Sequence, residues 1–195
     1  MTRIAIFASG NGSNAENLIC NLTYGRVVLL LCNKPGAYVL QRAQRLHVPT
    51  VLFSREELED PDHEHSVLKL LKTHKIDFII LAGFLWKIPA DLIRTWPQKI
   101  VNIHPALLPK YGGQGMYGDR VHKTVIENGE EKSGITIHIV DRQYDHGHII
   151  YQESIQIYSS DTPETLALRI HILEHLRFPK AVDDYLKQLF KDPAV

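Results

Sequence analysis

Asn102 and His104 close the apolar run Ile100-Val101-Asn102-Ile103-His104, and Asp145 follows in a later polar stretch, Asp141-Arg142-Gln143-Tyr144-Asp145-His146-Gly147. An amide, an imidazole and a carboxylate that converge make a proton-transfer site. The imidazole titrates near neutrality, a nearby carboxylate favours its charged form, and the amide offers a neutral donor to a developing oxyanion. Side chains two apart on a strand share a face. Asn102 and His104 therefore point the same way at the strand's carboxyl end, where open α/β sheets place their ligands. Spacing alone leaves a second reading open, in which the pair are polar residues ending a strand and Asp145 belongs to a turn.

A second constellation lies near the start, in Ser9-Gly10-Asn11-Gly12-Ser13-Asn14. Gly10, Gly12 and Ala15 fit the G-x-G-x-x-G/A spacing between a strand and a helix. The glycines allow a tight turn, and the helix that follows presents free amides and the positive end of its dipole to an anion. A dinucleotide site also wants an acid at the end of the second strand, where this chain has Cys32-Asn33-Lys34. That argues against NAD and leaves NADP open through Lys34. The simpler expectation is that Ser13 and Asn14 donate to one phosphate group, with Asn14 also capping the helix; an ordinary glycine turn is the remaining alternative. A third pattern, His171-Ile172-Leu173-Glu174-His175, fits the H-x-x-E-H zinc-peptidase motif. Its third ligand would have to be Asp183, Asp184 or Asp192, so no metal is expected here.

The elements that must position these residues follow from apolar periodicity. Runs at Ile4 to Ala8, Val27 to Leu31, Val51 to Phe53, Phe78 to Leu81 and Ile100 to Ile103 predict buried strands, alternating with helical stretches. Ile135 to Val140 and His148 to Ile155 predict two more strands in a hairpin at a sheet edge. Asp161 with Glu164 matches a capping box ahead of a helix from Pro163 to about His175, and a final helix is expected from Phe178 to about Leu189. The implied fold is α/β, doubly wound, with a mostly parallel sheet, helices on both faces and an antiparallel edge. No linker or repeat divides the chain, so residues 1–195 are expected to form a single domain.

Composition narrows the class. Lysine plus arginine and aspartate plus glutamate each number 22, so no global field recruits nucleic acid or an anionic membrane. With 44% hydrophobic residues the chain can bury a proper core. Cys20 and Cys32, without metal-ligand spacing, are expected to be reduced interior thiols. The chain opens on the apolar run at Ile4 without a basic leader, and a cytoplasmic protein is expected.

Taken in order, Ser9-Gly10-Asn11-Gly12-Ser13-Asn14, Leu81-Ala82-Gly83-Phe84, Asn102-Ile103-His104-Pro105-Ala106-Leu107-Leu108-Pro109-Lys110 and Asp141 with Asp145-x-Gly147 resemble the phosphoribosylglycinamide formyltransferase family nearly end to end. The resemblance implies a Rossmann-like formyltransferase fold, with the ribonucleotide bound by the N-terminal half and the folate and catalytic site completed by the C-terminal half. The implied reaction is transfer of a formyl group from 10-formyltetrahydrofolate, a co-substrate, to the amine of glycinamide ribonucleotide in purine synthesis, without a metal. His104 would be the general acid holding the oxyanion, Asn102 would orient the formyl oxygen, and Asp145 would keep His104 protonated and help move the amine proton. Gly12, Ser13 and Asn14 would hold the phosphate, with His171 beside them, and Glu174 would accept the ribose hydroxyls. Leu85, Trp86, Lys87 and Ile88, together with Asn102 and the turn from Asp141 to Asp145, would line the pterin pocket, and Arg55 would meet the folate's glutamate tail. Its partners would be these small molecules alone, and the chain a monomer or weak homodimer.

The chain departs from the commoner family pattern at Trp86, at His171 where a Gln often contacts phosphate, and in the longer loop from Tyr111 to Arg120. Formyltetrahydrofolate hydrolase and methionyl-tRNA formyltransferase share the Asn, His and Asp set but normally carry a further domain, so length favours the ribonucleotide enzyme. A sugar-nucleotide formyltransferase, an NADP-linked reductase and a non-catalytic phosphate-binding module remain as alternatives.

Overall fold

The computed structural model describes residues 1–190. Along the chain the elements are β1 (Thr2–Ala8), α1 (Ser13–Asn21), β2 (Gly25–Cys32), α2 (Tyr38–Arg45), β3 (Thr50–Leu52), α3 (Arg55–Glu59), α4 (Val67–Thr73), β4 (Phe78–Leu81), α5 (Ala90–Thr95), β5 (Ile100–His104), α6 (Asp119–Glu127), β6 (Lys132–Ile139), β7 (Ile149–Gln156) and α7 (Pro163–Leu189). The strands form one seven-stranded sheet in the order β3-β2-β1-β4-β5-β6-β7. β1 pairs in parallel with β2 and β4, as do β2 with β3 and β4 with β5. β6 and β7 run antiparallel at the far edge. The expected doubly wound sheet with an antiparallel edge is therefore what forms.

Alternation along the strands divides the core between the two faces. Ile4, Ile6 and Ala8 of β1 pack with Leu18 of α1, Val39 of α2, Val121 of α6 and Ile170 of α7. Ala5 and Phe7 pack on the other side with Leu58 of α3, Leu71 of α4 and Leu92 of α5. Strand order reverses between β1 and β4, with β2 and β3 on one side of that seam and β4, β5, β6 and β7 on the other. The carboxyl ends at that switch point form a crevice suited to a ligand.

The C-terminal region departs from expectation, because one helix of 27 residues runs through Pro179 where two were foreseen. Proline has no N–H to give the carbonyl one turn back, which is that of His175. Asn17 of α1 supplies the missing donor, with Nδ2 2.9 Å from His175 O. Other local expectations also shift. The cap of α7 is Thr162 with Thr165, in place of Asp161 with Glu164, because the Thr162 hydroxyl takes the Thr165 amide. Cys32 is buried but Cys20 is exposed, on the outer side of α1. No helix among the described residues is long and apolar enough to cross a membrane.

Candidate active site

Asn102 and His104 share one face of β5, and the antiparallel register sets His138 and Thr136 of β6 directly beside them. Thr136 anchors the loop that leaves β5. Its hydroxyl donates to Ala106 O at 2.7 Å and accepts from Leu108 N at 3.0 Å. The loop then turns back over His104, whose Nε2 lies 2.7 Å from the carbonyl of Tyr111. Asp145 reaches the same place from the β6–β7 turn. Its Oδ2 accepts from Gly113 N at 2.9 Å and stands 3.6 Å from His104 Nδ1. Asn102 Nδ2 is 3.1 Å from His138 Nε2 and 3.4 Å from Asp145 Oδ1. The three residues separated in sequence thus converge.

Gly112 permits that approach. A Cβ there would fall 2.6 Å from Leu108 Cδ2 and 3.1 Å from Asp145 Cβ. Asp145 itself sits in the left-handed region at φ 53, a conformation that aspartate tolerates better than most residues.

Burial sets the charge state of His104. Desolvation pushes its pKa below the usual histidine range, and although the Asp145 carboxylate pulls the other way, burial is the larger effect. Burial therefore works against the imidazolium that the resemblance implies. Burial alone would raise the Asp145 pKa, but the hydrogen bonds the carboxylate accepts, that from the Gly113 amide among them, outweigh it and leave the pKa lowered, so Asp145 is ionised.

The glycine loop closes the other end of the cleft. Gly12 caps α1 from the left-handed region, φ 78, and a Cβ there would lie 2.2 Å from Val39 Cγ2 of α2. Asn14 does not cap the helix, because its Nδ2 donates to Glu174 Oε2 at 2.8 Å. Ser13 Oγ lies 2.8 Å from His171 Nε2, and His171 Nδ1 donates to Glu174 Oε2 at 3.0 Å. That bond to Glu174 raises the His171 pKa. The zinc-like spacing on α7 therefore serves contacts to α1, with Asp183 turned to Thr23 and Tyr24 and Asp192 outside the described residues. Arg42 of α2 braces the loop through Asn11 O at 2.9 Å and an ion pair with Glu16. The side chains leave the first amides of α1 free to face an anion.

Both ends open into one cleft of about 1080 Å³, lined among others by Gly12, Ser13, Asn14, Asn102, His104 and Asp145. Asp141, His171 and Glu174 also line it, as do Leu85, Trp86, Lys87 and Ile88. Lys87 lies 5.9 Å from the ring of Tyr144, which ties the two segments expected around the pterin to each other. Arg55 stays off the cleft wall. Its guanidinium stacks on Trp86 at 4.8 Å and pairs with Glu59 at 3.1 Å.

Sequence reasoning did not single out His138, Tyr111, Arg42 or His122. His138 was findable from the alternation in Ile135-Thr136-Ile137-His138, which puts it on the polar face with Thr136. His122 of α6 is buried at the cleft with no partner on Nδ1 among the described residues, and burial lowers its pKa. No local signal marks Tyr111 or Arg42, which act through a backbone carbonyl and a loop brace.

The family model for formyl transferase matches residues 2–182. The chain belongs to that family. It is 37% identical over 191 residues to the phosphoribosylglycinamide formyltransferase of Bacillus subtilis, covering 95% of each chain. It is 38% identical over 187 residues to a trifunctional purine biosynthetic protein of Drosophila melanogaster, covering 92% of this chain but only 14% of that one. Among solved structures, the phosphoribosylglycinamide formyltransferase of Bacillus halodurans superposes with a TM-score of 0.85 at 35% identity, over 98% of both chains. The family member described here thus has the same Rossmann-like fold as these transferases.

Proposed function

We propose that this formyltransferase moves the formyl group of 10-formyltetrahydrofolate to the amine of glycinamide ribonucleotide. The observation that carries the reading is the convergence of Asn102, His104 and Asp145 in a cleft that also holds the free N-terminus of α1. A phosphate at that helix end and the reacting amine near Asp145 are the two ends of glycinamide ribonucleotide in this reading.

In this reading the amine nitrogen attacks the formyl carbon on N10, and the carbonyl oxygen becomes an oxyanion. Asn102 Nδ2 turns from its present partners to the oxygen, a donor typically worth about 3 kcal/mol in such sites. His104 Nε2 is committed to Tyr111 O, so Nδ1 is the ring atom that takes up the proton the amine loses as negative charge develops. It is then held between the Asp145 carboxylate and the oxyanion. Asp145 relays that proton from the amine to Nδ1 and then, directly or through water, on to N10 as the carbon–nitrogen bond to folate breaks. Ser13, Asn14, Gly12 and His171 hold the phosphate, Glu174 the ribose, and Leu85, Trp86, Lys87, Ile88 and Asp141 the pterin. Arg55 acts on the folate tail only through its hold on Trp86.

Steady-state turnover of 10-formyltetrahydrofolate with and without glycinamide ribonucleotide tests this. Formylated ribonucleotide forming only when the amine substrate is present is the expected result. Formate released equally without it would make the chain a hydrolase, and no turnover would leave a phosphate-binding module.

A further inference from the structure

The loop that carries the partner of His104 is tied down at its start, where Gln152 Nε2 donates to Leu108 O at 3.0 Å and to the Thr136 hydroxyl at 2.9 Å. It is tied again at Gly113, whose amide donates to Asp145 Oδ2. Among the described residues, no hydrogen bond between main-chain groups holds the stretch 109–112 that lies between these points. At its middle Tyr111 sits in the left-handed region, φ 57. A bulky residue keeps that conformation only where its surroundings enforce it.

The enforcement comes from side chains. Tyr111 Oη donates to Glu130 Oε1 at 2.8 Å and accepts from Asn128 Nδ2 at 3.1 Å, while Lys110 Nζ donates to the same Glu130 oxygen at 2.8 Å. The Tyr111 ring packs against the core. Asn128 and Glu130 belong to the turn between α6 and β6, where Gly129 N closes on Ile126 O at 3.0 Å. Both side chains of the otherwise untied stretch thus end on one carboxylate.

We propose that Tyr111 and Glu130 are positioning residues for His104: the phenol, held by Glu130, sets where the Tyr111 carbonyl stands and so keeps the imidazole in its place and tautomer. The effect on rate rests on the formyl-transfer reading. Tyr111 O accepts from His104 Nε2 at 2.7 Å, Gly113 N donates to Asp145 Oδ2 at 2.9 Å, and that oxygen stands 3.6 Å from His104 Nδ1. These contacts close a ring through one short piece of backbone. A shift at Tyr111 therefore reaches the imidazole and the carboxylate together, and small misplacements at a reacting centre are costly in rate. Neither Tyr111 nor Glu130 is among the residues that line the cleft, so their influence on the reaction runs through His104 and Asp145.

Tyr111→Phe keeps the ring packed and deletes both hydrogen bonds of the phenol. It should lower kcat about three- to tenfold, the kinetic equivalent of one ordinary hydrogen bond, with both KM values and the circular dichroism spectrum unchanged. Glu130→Ala should do the same, whereas Glu130→Gln, whose amide oxygen still accepts from the phenol, should restore kcat. Because the two side chains act as one unit, Tyr111→Phe combined with Glu130→Ala should lose no more than either alone. Nitrogen NMR spectra of the labelled imidazoles, taken at alkaline pH where the ring is neutral, give a readout that a merely structural role would not move. The unsubstituted protein should show the His104 proton on Nε2, and Tyr111→Phe should draw the Nε2 and Nδ1 resonances toward each other as the second tautomer becomes populated. Unchanged kcat or unchanged His104 resonances in Tyr111→Phe, a Glu130→Gln as slow as Glu130→Ala, or additive losses in the double variant would each overturn the proposal. The spectra need no substrate, so a lack of turnover in the unsubstituted chain would remove the formyl-transfer reading while the resonances still decide whether Tyr111 positions His104.

Discussion

His104 donates from Nε2 to the backbone carbonyl of Tyr111 at 2.7 Å. A carbonyl can only accept, so the proton of the neutral ring is on Nε2, and Nδ1 faces Asp145 as a lone pair. The imidazole of His104 is thereby held in one tautomer by main chain.

The resting state of His104 has a consequence for stability. Its folded pKa lies below its ordinary value of 6.5, and His122 is shifted the same way, both by burial. The unfolded chain therefore binds protons first as pH falls through about 6.5, so acidification in that window destabilises the fold. His171, raised by Glu174, works in the opposite sense and is lost as pH rises. Denaturation midpoints at pH 7.5 and 5.5 should show a drop on acidification that is smaller in His104→Gln. An equal drop in both proteins would show that His104 is not the titrating group.

Replacing Asp145 by Asn keeps the hydrogen bond from Gly113 in reach but removes the charge opposite His104. We expect kcat to fall about 10²- to 10⁴-fold, the usual range for loss of a general acid or base. The circular dichroism spectrum should not change. Turnover within a few-fold of the unsubstituted enzyme would remove Asp145 from proton transfer.

Gly112→Ala should act on the same carboxylate without touching substrate. The added methyl, 2.6 Å from Leu108 Cδ2, must push the loop or Asp145 aside. A shift of this size near a reacting centre can cost about 10²-fold in rate. Crystals of the variant should show Asp145 displaced, and a variant with normal kcat and an unmoved carboxylate would contradict the steric account.

Asn17 and Pro179 form a stability pair through the carbonyl of His175. Asn17→Ala strands that carbonyl and should cost about 1 to 2 kcal/mol in urea denaturation. Pro179→Ala supplies a helical N–H in its place, so the cost of Asn17→Ala should shrink in that background. Strictly additive effects in the double variant would argue that Asn17 stabilises by packing alone.

Much of this could be read from residue order. Continuous apolar runs can satisfy only strands covered on both faces, and those runs fell on β1, β2, β4 and β5 with small errors at the ends. Alternation by two placed Asn102 and His104 on one face before any contact was known. The glycine loop likewise announced a helix end able to take an anion. Helix continuity at Pro179 was not legible, because the compensating donor comes from α1, far away in sequence. The stacking of Arg55 on Trp86 was not legible for a related reason: a cation and an aromatic ring have no sequence spacing that identifies such a contact.

The sequence by itself thus determined the sheet, the polar face of β5 and the chemistry available there, since each follows from local periodicity and side-chain type. Tertiary structure decided how near Asp145 comes to His104, that Tyr111 fixes the ring's tautomer and that burial works against its charged form. It also decided that the His171 and Glu174 pair serves α1. Those outcomes depend on distance and desolvation, which exist only once β5, β6 and the loops between them have closed around the cleft.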